Sequence, residues 1–383
     1  MAYIWEDNDW PRALFEAPSS ECLALEETAK NELLRLAGFT KGLSQTSRAM
    51  TEARLITDEG IGSNEVEGIM MSRDSFFASA LRRKGLITSQ QIDRNHAPII
   101  DALLDAIENA NDAITAETLH QWQEASIAGA NPFDTTLRGA FRYQADDMQI
   151  VTPTPTGKPD IVHYQAPPSD RVESEIDRML EWIESVQTSR TLRNATLAHL
   201  WFETIHPYED GNGRTGRLLW DRLVARASHE VIGLAGRWWA LSHEIMREKS
   251  AYYDALNGTQ KGELSIDEFC QWGIQAITKS IDRTLTVGQD VVRSEELMAL
   301  AGRTNLNVRQ KEILELLIKH GRDGFKQGMT NRRYMRTTRC SDATASRDLA
   351  DLVDKGFLSP EGQGRGRAYH VAWDKSHVSN SQG

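Results

Sequence analysis

The stretch from His206 to Arg217 holds a histidine, an aspartate and two arginines around a Gly-Asn-Gly turn. Pro207 ends the preceding helix at His206, because a residue before proline is disfavoured in the helical conformation. A new helix is predicted to begin near Arg214. Free N–H groups and the dipole at such a helix start favour a phosphate. The stretch therefore predicts a phosphate-binding loop.

Each charged side chain of this loop suits one chemical role. His206 can remove a proton from an incoming hydroxyl, and Asp210 can bind a magnesium ion that bridges phosphates. Arg214 and Arg217 are predicted to lie on one helical face and to hold further phosphate oxygens. A plain glycine turn would leave these four side chains at fixed offsets unexplained, so the sequence favours a catalytic site.

Helical periodicity dominates the elements that must position this loop. Helices are predicted over residues 20–43, 46–67, 73–84, 89–110, 115–128, 169–187, 191–205 and 214–227. The exception is 141–165, where 148–152 and 161–164 read as two short strands around a Pro/Gly turn. The predicted fold class is mainly α, with one β-hairpin beside the loop.

The C-terminal part differs in charge and in pattern. Residues 303–383 carry a net charge of +6, whereas the other residues carry −17. A basic module on an acidic body is expected when one part meets an anionic polymer. Predicted helices at 308–320, 330–337 and 343–355 precede a hairpin over 357–371, an order that resembles a winged helix-turn-helix.

A winged module predicts particular DNA contacts. Thr344, Ser346 and Arg347 would face the major groove, and Arg365 and Arg367 would lie on the wing near phosphate. The alternative is a winged domain used for protein contacts or dimerisation. The net positive charge favours DNA over that alternative.

Composition sets the remaining limits. The chain of 383 residues predicts two or three domains. No apolar run approaches the roughly 18 residues of a membrane span, and no secretory signal is recognisable. Cys22, Cys270 and Cys340 are widely spaced, which excludes a disulfide scaffold and a clustered cysteine zinc site. We expect a soluble cytoplasmic protein without a membrane partner.

The loop sequence resembles the Fic signature, H-[PX]-F-x-[DE]-G-N-G-R-x-x-R, with Tyr208 where phenylalanine is usual. The resemblance implies a protein adenylyltransferase that moves AMP from Mg-ATP to a Ser, Thr or Tyr hydroxyl of a target protein. His206 would be the base and Asp210 the Mg²⁺ ligand. The implied ATP-binding residues are Asp210, Gly211, Asn212, Gly213, Arg214, Thr215, Gly216 and Arg217. Phosphotransferase members of the family usually carry lysine at the place of Arg214, which favours nucleotidyl transfer over phosphorylation.

Two further segments resemble parts of the family pattern. The predicted hairpin occupies the place of the Fic flap, which binds the target chain by strand addition. Its implied target-binding residues are Gln149, Ile150, Val151 and His163. Tyr252, Tyr253 and Gln260 resemble the adenosine side of the site, although two adjacent tyrosines can equally serve packing alone.

The segment Ser63-Asn-Glu-Val-Glu67-Gly68 matches the family's inhibitory motif, [ST]-x-x-x-E-[GN]. Ser63 and Glu67 share a helical face, and Gly68 suits the position just after a helix. The resemblance implies that Glu67 pairs with Arg217 and diverts it from the γ-phosphate of ATP. A solvated glutamate at a helix end is the alternative, with Glu65 a nearby rival.

The resemblance also implies the domain layout. We predict an N-terminal helical domain over 1–95 that carries the inhibitory motif, a Fic core over 96–283, a connection over 284–305, a winged helix over 306–375 and a tail over 376–383. The expected partners are a target protein, DNA and, as is common for this layout, a second copy of the chain. Transfer of another nucleotide, removal of AMP with Glu67 orienting water, and a nucleotide-sensing transcriptional regulator remain alternatives. The intact His206 argues against a sensor alone, since binding requires no base.

Overall fold

The structure is a computed structural model, and it divides into two compact units, Met1–Leu285 and Thr286–Gly383. The residues that it describes are 3–15, 17–88, 96–128, 136–144, 148–152, 161–185, 191–233, 236–263, 265–324, 327–364 and 367–373. Within these ranges, no helix has the length and apolar character needed to cross a membrane.

The first unit is helical apart from one hairpin. Its helices are α1 (Ser20–Lys41), α2 (Gln45–Val66), α3 (Arg73–Arg83), α4 (Ala97–Glu108), α5 (Ala116–Ser126), α6 (Ser169–Ser185), α7 (Leu192–Ile205), α8 (Asn212–Ile232), α9 (Leu241–Arg247), α10 (Lys249–Gln260) and the first part of α11 (Ile266–Arg303), whose residues from 286 on belong to the second unit. The hairpin joins β1 (Gln149–Thr152) to β2 (Ile161–Gln165) in antiparallel register. Each predicted strand and each of the eight predicted helices has a counterpart here, although the helix predicted over 89–110 is described only from Ala97. Residues 89–95 and 186–187 of the predicted helices, and the predicted turn at 153–160, lie outside the described residues.

Helices α7 and α8 pack together at the centre of this unit, on either side of the predicted loop. The apolar side of α7 is fully buried, as its periodicity predicts, with Leu200 and Ile205 each 0% exposed. Helix α8 begins at Asn212, two residues before the predicted start. The earlier start follows from Asn212 itself, whose side-chain amide pairs with both backbone groups of Tyr208 and so closes the turn.

Helix α2 packs against α3 and α9 and carries buried acidic side chains. Asp58 is ion-paired with Arg73 and with Arg283, whose Nη2 lies 2.7 Å from Asp58 Oδ2. Glu59 accepts a 2.9 Å hydrogen bond from the backbone N–H of Ser242. Because such pairs are costly to break once buried, these contacts fix the position of the whole helix, including its C-terminal end.

Helices α9, α10 and α11 were not predicted from the sequence. Residues 284–303 of the predicted connection belong to α11. The helix continues there because buried residues recur at helical spacing within the connection itself, with Val287, Val291 and Ser294 all buried.

The second unit contains the three helices and the hairpin that the sequence predicts. They are α12 (Val308–Gly324, with a non-helical Gly321), α13 (Asn331–Thr338), α14 (Asp342–Asp354), β3 (Leu358–Glu361) and β4 (Ala368–Val371). Ser341 caps α14, its side chain accepting from the backbone N–H of Thr344. The predicted wing residue Arg365 lies outside the described residues.

Candidate active site

The backbone at His206 has the left-handed conformation, with φ 50° and ψ 60°, where α7 ends. The side chain of Arg142 binds backbone carbonyls at this turn. Its Nε donates to the carbonyl of His206 at 2.8 Å, and its Nη2 donates to the carbonyls of Pro167 at 2.6 Å and Ile205 at 3.2 Å. A non-glycine residue in this conformation is strained, and the three contacts of Arg142 stabilise it.

His206 is partly buried, and its imidazole is uncharged. Its Nδ1 is buried and has no hydrogen-bond partner among the described residues. Burial, reinforced by the nearby charge of Arg142, lowers the pKa of His206 to about 4. The ring is therefore neutral near pH 7, which is the form that a general base requires.

The glycine-rich turn between α7 and α8 is fixed by side chains from other elements. Gly211 has φ 86°, a conformation that favours glycine. Gln123 of α5 donates from Nε2 to the carbonyl of Asp210 at 3.0 Å. The first N–H groups of α8 point out of this turn without helical partners, and such groups bind anions.

The structure brings the predicted inhibitory residues against Arg217. The Nη2 of Arg217 lies 2.8 Å from Oε1 of Glu67 and 2.8 Å from the carbonyl oxygen of Ser63, and its Nε lies 3.1 Å from the Ser63 hydroxyl. The Glu67 carboxylate also lies directly over Gly213, where an added Cβ would overlap it. The Glu67 carboxylate thus lies against both the start of α8 and Arg217.

Both members of this pair are charged at neutral pH. Burial alone would raise the pKa of Glu67, but the charge of Arg217 outweighs it and holds the pKa of that carboxyl below its ordinary value. Burial alone would lower the pKa of Arg217, and Glu67 in turn raises it. Arg217 is only 2% exposed and Glu67 is 30% exposed, so the acid is the more accessible partner.

Arg214 takes a different direction from Arg217. Its Nη1 donates to the carbonyl of Ser126 at 2.7 Å, and its Nη2 lies 3.2 Å from Oδ1 of Asp210. The two positions are three residues apart and share one helical face, as predicted. Their guanidinium groups differ in their partners, because Arg214 donates to Ser126 of α5 while Arg217 pairs with Glu67.

Two other predicted residues, Thr215 and Gly216, are buried in the first turns of α8. Thr215 is 0% exposed, and Gly216 accepts a 3.0 Å hydrogen bond from Nδ1 of His199. The Nε2 of His199 then accepts from the hydroxyl of Tyr252 at 3.0 Å. Burial lowers the pKa of His199 to about 3, so this neutral ring links the loop to α10 and fixes Tyr252.

The loop opens into a cavity of about 450 Å³. Its lining includes both tyrosines of α10, Gln260 and the phosphate loop; the predicted residues among the lining are Glu67, Ile150, Val151, His163, His206, Asp210, Gly211, Asn212, Gly213, Arg217, Tyr252, Tyr253 and Gln260. Gln260 is 1% exposed, and neither its Nε2 nor its Oε1 has a partner among the described residues. Its amide can therefore both donate to and accept from a bound molecule.

Sequence reasoning missed three residues of this site. Glu203 lines the cavity, its buried Oε1 has no hydrogen-bond partner in the described part of the chain, and burial raises its pKa to about 8. It lies one helical turn before His206, and that spacing was the available signal. Arg142, which braces the His206 turn, and Lys249, whose Nζ lies 2.6 Å from the Val66 carbonyl, gave no local signal.

The hairpin lies at the rim of the cavity. Ile150, Val151 and His163 line it, whereas the amide of Gln149 bonds to Gln165 at 3.1 Å across the strands. The register shifts between Ile150 and Val151, and a shift of this kind bends a strand. A two-stranded hairpin leaves strand edges that can pair with another chain.

Asp210 fits the magnesium role that its position suggests. Its side chain is 54% exposed, and Oδ1 also accepts from the N–H of Gly211 at 2.6 Å. No group of three or more His, Cys, Asp or Glu side chains forms a metal cluster within the described part of the chain. A single carboxylate suits Mg²⁺, which is commonly held by one or two carboxylates together with substrate phosphates and water.

Comparison with known proteins shows what the segment that holds this site is similar to. Residues 113–224 match the Fic/DOC family, and residues 3–86 match a domain of unknown function, DUF4172. A probable protein adenylyltransferase of Aquifex aeolicus is 25% identical over 179 residues, 42% of this chain and 52% of that protein. The protein adenylyltransferase Fic of Nematostella vectensis is 21% identical over 229 residues, 58% of this chain and 47% of that protein. The chain thus spans about half the length of these relatives.

A solved structure shares the fold. The crystal structure of a Fic family protein from Desulfovibrio desulfuricans G20 superposes with a TM-score of 0.52 at 15% identity, covering 93% of this chain and 97% of that one. The matched segment 113–224 contains the histidine turn and the glycine loop described above. The segment that holds this site is therefore similar to the Fic/DOC family.

Proposed function

We propose that this protein is an adenylyltransferase that transfers AMP from ATP to a hydroxyl of a target protein. The observation that carries the proposal is the convergence in one cavity of a neutral His206, the free N–H groups at the start of α8 and the rim hairpin. The relatives that bear the name of protein adenylyltransferase support the same activity.

The mechanism follows from what each group can do. His206 takes the proton of the target hydroxyl as that oxygen attacks the α-phosphorus of ATP. The new P–O bond forms as the bond to pyrophosphate breaks, and the N–H groups of the loop stabilise the charge on the phosphate oxygens. Asp210 would hold Mg²⁺, which supplies charge neutralisation to the phosphates when bound.

The same proposal includes self-inhibition. Glu67 holds Arg217 and covers Gly213, so the terminal phosphates of ATP cannot reach either group while the pair stands. Withdrawal of Glu67 would release a buried guanidinium, and this group then requires a new anion. The γ-phosphate of ATP is such an anion.

A second activity, hydrolytic removal of AMP from a modified target, is supported by one feature. Glu67 lines the cavity together with His206 and is partly exposed. A carboxylate at that place can orient a water molecule towards a phosphodiester. Release of free AMP from a labelled target by the wild-type chain, and its loss in Glu67→Gln, would distinguish this activity from transfer.

The test compares two labelled forms of ATP. The wild-type chain and its Glu67→Gly variant are incubated with a protein extract and either α-³²P-ATP or γ-³²P-ATP. Relative to the extract incubated without the chain, the proposal predicts additional protein-bound label from the α form and no additional label from the γ form. Label from the γ form alone would show phosphorylation, and label from neither form would contradict transfer.

A further inference from the structure

Helix α13 in the second unit carries an arginine-rich face. Arg332 and Arg336 are four residues apart, which places them on one side of α13, and Arg339 follows the helix as its left-handed C-cap residue. All three are exposed. The opposite side of α13 is buried through Tyr334, which is 0% exposed and donates its hydroxyl to Oδ2 of Asp348 at 3.0 Å. We call Arg332, Arg336 and Arg339 the α13 arginine face.

This face differs from other basic groups in the same unit. Arg309 pairs with Asp348, Arg322 with Asp290, and Lys355 with Asp351. By contrast, none of the three arginines of the α13 face has an ion-pair partner within the described part of the chain. Like charges held close together repel one another, so such a face is stabilised by an anionic partner.

The surface beside these arginines is concave. A depression of about 660 Å³ is lined by arginines and by hydrogen-bonding side chains, including Gln327 and Thr330. Thr330 is the N-cap of α13, so the positive end of the helix dipole lies at the same place. An extended polyanion fits such a surface better than a single small anion does.

Helix α14, which follows α13 in the chain, indicates which polyanion would bind. Helices α13 and α14 follow each other closely, and in helix-turn-helix proteins the first helix of such a pair crosses the DNA backbone while the second enters the major groove. Arg347 on α14 is exposed, whereas the Ser346 hydroxyl is held by Nδ2 of Asn331 at 2.5 Å. The pair thus offers much charge and few groups for reading bases.

We propose that the α13 arginine face binds the phosphate backbone of double-stranded DNA. The strongest electrostatic contact then lies on α13, and the wing residue Arg367 contributes less, since its guanidinium lies over the ring of Tyr369 at 5.6 Å. Sequence dependence is weak, because phosphate contacts carry no base information. This proposal is independent of AMP transfer.

The experiment measures binding of the full chain to a fluorescent 30-base-pair duplex between about 50 and 200 mM salt. Each phosphate contact adds about 0.9 to the slope of log affinity against log salt. Arg332→Gln with Arg336→Gln should therefore make the slope shallower by about 1.8. Over this fourfold salt range, that change corresponds to a roughly 12-fold smaller ratio of affinities.

Matched variants decide the outcome. Lys311→Gln with Lys319→Gln removes the same charge from exposed sites on α12 and should leave the slope unchanged. Arg332→Lys with Arg336→Lys keeps the charge and should restore the slope. Thermal unfolding checks that each variant is folded. Absence of duplex binding by the folded wild type at 50 mM salt, an equal loss in the α12 variant, or binding of polyglutamate in preference to duplex would each overturn the proposal.

Discussion

Two arginine sites of the chain differ in their burial and in their ion pairing. Arg217 in the first unit is 2% exposed and is closed by Glu67 and Ser63 of its own chain. The α13 arginine face in the second unit is exposed and lacks an ion-pair partner within the described residues. The charge of Arg217 is neutralised within the chain, whereas the charges of the α13 arginine face are exposed to solvent.

Burial explains the difference. A guanidinium that is removed from water is strongly destabilising without an anion, and Glu67 supplies that anion for Arg217. An exposed arginine is solvated by water and gains little from an ion pair. Under the two proposals, we expect competition between anions at the buried site and a dependence on ionic strength at the open site.

The largest expected effect is a loss of AMP transfer that leaves DNA binding unchanged. His206→Ala removes the proton acceptor and should lower AMP transfer by about 10²–10⁴-fold. The same variant should bind duplex DNA like wild type, while Arg332→Gln with Arg336→Gln should bind DNA poorly and label protein normally. Labelling assays and duplex titrations on the same preparations check both halves. Near-normal labelling by His206→Ala would contradict the proposed base.

The Arg217 pair and the α13 arginine face should respond differently to ionic strength. Exposed charges are screened within about 8–10 Å at physiological salt, whereas buried pairs are screened much less. The ratio of labelling rates between Glu67→Gly and wild type should stay within about twofold from 50 to 200 mM salt, while duplex affinity falls steeply. Activation of wild type by salt to the level of the variant would show that the Arg217 pair behaves as a surface pair.

A smaller effect is expected at the end of the inhibitory helix. Lys249 donates from Nζ to the Val66 carbonyl at 2.6 Å, next to Glu67. A cation at a helix C-terminus contributes about 0.3–1 kcal/mol, so Lys249→Met should raise labelling by about two- to fivefold. Lys279→Met is the control, since Lys279 pairs with Glu248 and not with α2. Equal activation by both variants would exclude a specific contact.

The smallest effect on activity is expected at Glu203, whose pKa is raised to about 8 by burial. Its side chain is protonated at pH 7, and Glu203→Gln should keep labelling within about twofold. Since the folded state binds this proton more tightly than the unfolded chain, wild-type stability falls as pH rises from about 4.5 to 8. The variant should therefore unfold at a higher temperature than wild type at pH 8, with a gap that narrows towards pH 5. A gap that widens at pH 5 would contradict a protonated Glu203.

The sequence predicted those parts whose causes are local. Pro207 and Gly211 mark the turn, and the four-residue spacing of Ser63 and Glu67 put both on the side that meets Arg217. The direction of Arg214 was not predictable, because it depends on Ser126 of another helix. Arg142 acts through the backbone carbonyls of residues distant in sequence, which no local pattern encodes.

The most direct test of the closed site measures AMP labelling in four proteins: wild type, Glu67→Gly, Glu65→Gly, and Glu67→Gly combined with Arg217→Ala. Loss of Glu67 should raise labelling by about 5–150-fold, the range of a typical coupling free energy. Adding Arg217→Ala should erase that gain. Glu65 points about 200° away around α2, so Glu65→Gly should change little. Activation by Glu65→Gly with a silent Glu67→Gly would contradict the account.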